Sequence, residues 1–182
     1  MKLIAWGLIP GLVISVLVTW WPTDWQYVPG IIFGTALALY FSKGKWALSG
    51  WTMNDLVRFI AFIAISTFAY WSSLTEAEWI LGTNGFATFA SYATASAMPA
   101  LFVACFIAGC LGAFILAVGI RTLFLKFDVV RGLFLFSLFS GAVGSIVAFG
   151  FEAFGFIPQF IFPVWDTGLM IVVWYLGKNT EA

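Results

Sequence analysis

Long uncharged apolar stretches are the feature that most limits what this chain can fold into. Charge-free runs occupy residues 3–23, 25–42, 59–75, 79–120 and 132–151, and a sixth, 153–177, is interrupted only by Asp166. A helix needs about 20 apolar residues to cross a bilayer core of ~30 Å, and there the backbone must satisfy its own hydrogen bonds. Such runs therefore predict membrane-spanning helices. Charged residues make up 9% of the chain, against roughly a quarter in a soluble domain.

The run 79–120 is long enough for two spans, so span number turns on the basic residues. With six spans and an inside N-terminus, Lys2, Lys43, Lys45, Arg58, Arg121, Lys126, Arg131 and Lys178 all fall on the cytoplasmic side. Asp24, Glu76, Glu78 and Glu152 then fall outside. A seventh span would set Arg121, Lys126 and Arg131 opposite Lys43 and Lys45, against the positive-inside rule. The expectation is an all-α membrane protein: a six-transmembrane-helix bundle forming one integral membrane domain over 1–182. Its spans lie near 3–20, 28–41, 53–71, 98–120, 132–151 and 159–177.

Residues 79–97 are left over. Their run ATFASYATASA is small or hydroxylated on every face, poor material for contact with lipid, and reads as a re-entrant or interfacial segment before the fourth span. The first run leads to Trp20, Trp21 and Pro22, which is a span and not a cleavable signal. The localisation expected is the bacterial inner (cytoplasmic) membrane, as a multi-pass protein with both termini cytoplasmic.

Local signals add detail. Thr52 and Asp55 have the spacing of a capping box opening the third span, with Arg58 placed to pair with Asp55 or to reach the headgroups. Thr75 and Glu78 repeat that spacing, and predict a separate short helix ending at the glycines near residue 82. Small residues recur every four positions at Gly30, Gly34 and Ala38, at Cys105, Gly109 and Ala113, and at Ser137, Gly141 and Ser145. Such ladders let helices approach closely, within one chain or between subunits. Cys105 and Cys110 lie about 140° apart on one helix and cannot pair within it. Pro29 and Gly34 are echoed by Pro163 and Gly168, a spacing compatible with a parallel repeat or with chance.

Asp166 is the residue out of place. A carboxylate at mid-span costs several kcal/mol, so it should face the bundle interior and carry a proton, meet a cation or hydrogen-bond its neighbours. Arg58 is the basic residue nearest in depth. The candidate substrate or ion site is Asp166 with Thr167 and Trp165, joined by Glu152 and Gln159 as an outer polar funnel. Pro29 and Pro163 are candidates for local helix adjustment.

Other chemistries drop out. The chain has no His, which removes His-ligated haem, His-containing zinc sites and Ser-His or Cys-His catalysis. It has neither a second deep carboxylate for an aspartyl dyad nor a GxxxxGK[ST] phosphate loop. No catalytic residue, metal site or cofactor is expected. With zero net charge nucleic acid is not an expected partner. The partners expected are the lipid bilayer and other membrane subunits or further copies of the chain.

Two functions fit: translocation or binding of a small solute, proton or cation at Asp166, or a non-catalytic subunit or assembly factor of a larger membrane complex. Reporter fusions after Ala182 and within 42–51 should both read as cytoplasmic. Reporters on opposite faces would exclude the six-span topology.

Overall fold

The computed structural model describes residues 2–20, 27–42, 51–81, 98–154 and 161–178, and every regular element among them is a helix. These are α1 (Lys2–Trp20), α2 (Val28–Phe41), α3 (Met53–Leu81), α4 (Met98–Leu123), α5 (Val129–Phe154) and α6 (Ile161–Lys178). Windows within two of them, Met53–Ala77 and Phe102–Leu123, are long and apolar enough to cross a membrane. Residues 82–97 lie outside the described residues, so the re-entrant or interfacial segment is placed only at its first residues, Trp79–Leu81, which belong to α3.

The start of α3 is set as expected. The Thr52 backbone N–H donates to Asp55 Oδ2 at 3.0 Å, and the Asp55 N–H donates to Thr52 Oγ1 at 3.2 Å. This reciprocal cap satisfies two N–H groups that a helix start leaves orphaned. The expected second start at Thr75 and Glu78 is overturned. α3 runs unbroken for 29 residues, because no Gly or Pro lies between Trp71 and Leu81 and nothing there breaks the i→i−4 ladder.

Prolines behave according to position. Pro29 lies in the first turn of α2 and Pro163 is the third residue of α6, where a missing N–H removes no bond from the helix. Pro10, in contrast, is internal to α1 and cannot donate to the carbonyl of Trp6 one turn earlier.

Packing follows chain order. Each helix packs against its sequence neighbours, and α1 packs against α6, so the six close into a ring. Neighbours run antiparallel. Positions 62, 65 and 73 of α3 meet 124, just beyond the end of α4, and 119 and 112 within it, while 139 and 131 of α5 meet 168 and 175 of α6. This alternation gathers Arg58, Arg121, Lys126 and Arg131 at one end of the bundle, with the start of α1 and the end of α6.

Small residues make the ring tight. A Cβ on Gly30 would stand 2.5 Å from Thr67 Cα, one on Gly109 2.4 Å from the Ser140 carbonyl oxygen, and one on Gly7 2.5 Å from Thr167 Cα. The first two belong to the ladders at 30/34/38 and 105/109/113, whose role in these contacts is therefore packing within the chain. The Gly7 contact is what brings α1 onto α6.

The outside is apolar. Large hydrophobic side chains are exposed on all six helices, among them Ile9, Ile31, Ile60, Phe106, Ile146 and Val164. Buried within are Ser15, Ser66, Ser73, Ser140, Ser145 and Asp166.

Gly7→Ala should destabilise the protein. Alanine gains about 1 kcal/mol in helix propensity, but its methyl meets backbone atoms that cannot rotate away, and overpacking of this kind costs about 1–3 kcal/mol. Gly177→Ala, whose Cβ would lie 3.8 Å from the nearest neighbour, is the control. Thermal denaturation should show a lowered Tm for the first variant and no loss for the second.

Candidate functional site

The helices themselves dictate which hydroxyls need outside partners. In an apolar helix a Ser or Thr hydroxyl can be buried cheaply by bonding back to the carbonyl four residues earlier. Ser15 does so to Gly11 (2.8 Å), Thr67 to Ile63 (2.7 Å), Ser73 to Ala69 (2.7 Å) and Ser145 to Gly141 (2.9 Å). Two hydroxyls depart from the rule: Ser66 Oγ and Thr167 Oγ1 are buried with no hydrogen-bond partner.

The buried acid shows the same departure. Asp166 has no solvent exposure, and its Oδ1 accepts a hydrogen bond from the Tyr70 hydroxyl of α3. Its Oδ2 is buried without a partner. Thr167 adjoins it in sequence, and Ser66 lies one turn before Tyr70. The α3–α6 bond joins two helices that are not neighbours in the ring, so it crosses the bundle interior.

Aromatic rings enclose this centre. The Trp165 ring lies 4.9 Å from that of Tyr70, centroid to centroid, and Phe33 of α2 lies 6.1 Å from Tyr70 on another side. Trp165 Nε1 donates to Ser140 Oγ of α5 at 2.8 Å, which satisfies both groups and fixes the indole. The Phe139 ring occupies the space beside Gly168 where a side chain would stand. On the remaining side, a Cβ on Gly7 of α1 would come within 2.8 Å of the Asp166 carbonyl oxygen. Side chains and backbone from α1, α2, α3, α5 and α6 thus contact Asp166 or the residues beside it.

The chemistry available is that of oxygen. Asp166 and Tyr70 offer a carboxyl and a hydroxyl, a pair suited to a proton, a water or a hard cation and unsuited to soft metals. An unpartnered buried carboxyl oxygen costs several kcal/mol, and such a ligand would remove that cost. Two outward grooves, between α1 and α2 and between α2 and α3, are lined almost wholly by apolar side chains.

Of the residues singled out in sequence, Trp165 and Asp166 both meet Tyr70, while Thr167 Oγ1 is buried without a hydrogen-bond partner. The side chain of Glu152 and the whole of Gln159 lie outside the described residues, so the outer funnel does too. Arg58 is not the partner of Asp166. It is exposed near the start of α3, and Tyr70, twelve residues or about 18 Å of helix further on, takes that place.

Tyr70, Ser66 and Ser140 escaped the sequence reading. A signal existed: Ser66, Tyr70, Ser73 and Ala77 recur at helical spacing and are all buried, a polar stripe on a helix whose other faces are apolar. Cys105 and Cys110 are both free, and Cys110 Sγ donates to the Ser137 carbonyl at 3.3 Å.

Compared with protein-family models, with curated proteins and with solved structures, the chain matches none.

Tyr70→Phe should lower stability by about 1–3 kcal/mol, the usual cost of leaving a buried polar group unmade. Combined with Asp166→Asn in a double-mutant cycle, it should give a coupling energy of about 0.5–3 kcal/mol. Additive losses in thermal or denaturant unfolding would show that the two side chains do not act together.

Proposed function

We propose that this chain is a six-span membrane protein that binds or translocates a proton, a small cation or a small polar solute at Asp166. One observation carries the reading: a fully buried carboxyl whose second oxygen, like the hydroxyls of Ser66 and Thr167, has no partner. Elsewhere the bundle takes care to satisfy its buried hydroxyls. Leaving a buried acid's oxygen bare is costly unless a ligand meets it.

The membrane part of the proposal is supported by the exterior. Exposed apolar side chains on all six helices would be a severe liability in water, whereas lipid is their natural contact. Several serines and Asp166 are buried inside, and the described basic residues Arg58, Arg121, Lys126 and Arg131 collect at one end as the positive-inside rule asks. On this reading both termini are cytoplasmic, in a bacterial inner membrane.

A second reading has its own observation. Asp166 is wholly enclosed by Tyr70, Trp165 and the Gly7 contact, as a structural tie would be, which suits a subunit or assembly factor of a membrane complex. The two separate on the same variants. In proteoliposomes, Asp166→Asn keeps the shape and an acceptor for Tyr70 but can neither take up nor release a proton. It should retain the fold and reduce proton or cation flux at least about tenfold, equivalent to ~1.4 kcal/mol. Asp166→Leu should lose both flux and stability. Unchanged flux in both variants would refute the transport reading, and a stability loss alone would favour the tie.

A further inference from the structure

The end of the bundle that carries the basic residues is more organised than a solvated charge cluster. α4 and α5 are joined by a short connection, 124–128, held at several points. The Phe124 N–H donates to the Ile120 carbonyl at 2.8 Å, and the Phe124 ring stacks on Phe41 at 4.5 Å. Phe127 is buried against Gly132, where a Cβ would meet its ring. Asp128, the acid of this connection, is turned to helix capping and accepts the Arg131 backbone N–H at 2.8 Å.

Three cations surround this rigid connection and are exposed: Arg121, Lys126 and Arg131. Two are held in place. Arg121 Nε donates to the Phe127 carbonyl at 3.2 Å, which leaves its terminal nitrogens outward. The Arg131 guanidinium lies over the Tyr175 ring of α6, 5.4 Å from its centroid, and donates to the Tyr175 hydroxyl. A guanidinium fixed in this way offers a planar donor fork with little further ordering cost. Directly along α5, Val130 is 78% exposed and Phe134 62% exposed, an apolar track that begins where the cations end.

We infer that the α4–α5 connection is a binding site for the headgroup of an anionic phospholipid, whose acyl chain follows Val130 and Phe134. Phosphate esters are natural ligands of a guanidinium fork, and basic clusters at one end of a membrane helix bundle favour acidic headgroups by about 1 kcal/mol per cation. The apolar track selects lipid over free phosphate. The inference rests on the membrane reading proposed above and is independent of the role given to Asp166.

The test uses the full-length protein in a non-ionic detergent. Lipid bound from phosphatidylglycerol or phosphatidylcholine is measured by native mass spectrometry, alongside inorganic phosphate. Wild-type protein should prefer phosphatidylglycerol, and Lys126→Gln and Arg131→Gln should each weaken that binding about fivefold, the equivalent of ~1 kcal/mol per cation. Arg131→Lys should recover part of it. Phosphatidylcholine binding should not change.

A salt series needs no variant. Raising ionic strength from about 0.1 M to about 1 M shortens the screening length from ~10 Å to ~3 Å and should erase the preference. Equal uptake of the two lipids, phosphatidylglycerol binding that survives both the substitutions and the salt, or saturation by inorganic phosphate in place of lipid would each overturn the inference. Failure of the membrane reading looks different: the protein would be released from vesicles by an alkaline wash. A protein that stays embedded yet shows no lipid preference refutes the headgroup site alone.

Discussion

A carboxyl held in the interior of an apolar bundle is the constraint around which this structure is arranged. Asp166 reaches no solvent, and its link to Tyr70 spans the centre of a helix ring that otherwise packs through neighbours. Everything close to that link is determined by it. Trp165 is tied to Ser140, Phe139 closes over Gly168, and α1 comes within backbone distance of α6 at Gly7 and Thr167. Loosening any of these would admit water or lipid to a group that tolerates the first and not the second.

Hydroxyl bookkeeping separates packing from function. Ser15, Thr67, Ser73 and Ser145 return their hydroxyls to the preceding turn, which makes them polar in name and nearly apolar in effect. Ser66 and Thr167 have the same option and do not take it. Asp166 Oδ2 is likewise buried without a partner, and the proposed ligand site rests on that oxygen. Small residues contribute by a different route. At Gly30, Gly34 and Gly109 the absent side chain lets neighbouring helices approach closely.

Much of this was legible before any coordinate. The apolar runs predicted helices close to those observed, since hydrophobic length is a local property. The Thr52–Asp55 cap was readable because its partners are three residues apart, and the interior position of Asp166 was readable because a carboxyl has few tolerable places in such a chain. The extent of α3 was misjudged. Thr75 and Glu78 have the letters of a cap, but a cap forms only where the helix is otherwise interrupted, and no breaker stands before them.

What sequence alone determined is the set of helices, the gathering of basic residues at one end, and the singularity of Asp166. Each follows from residue type and spacing along one chain. The partner of Asp166 was decided only by tertiary structure. Tyr70 lies 96 positions away and was set beside the acid by the rotation and depth of α3 in the ring, which depend on Gly–backbone contacts at several other interfaces. The same packing left Oδ2, Ser66 and Thr167 bare. A hydrogen bond between distant helices is a consequence of how all the intervening faces fit, and no local pattern carries that information.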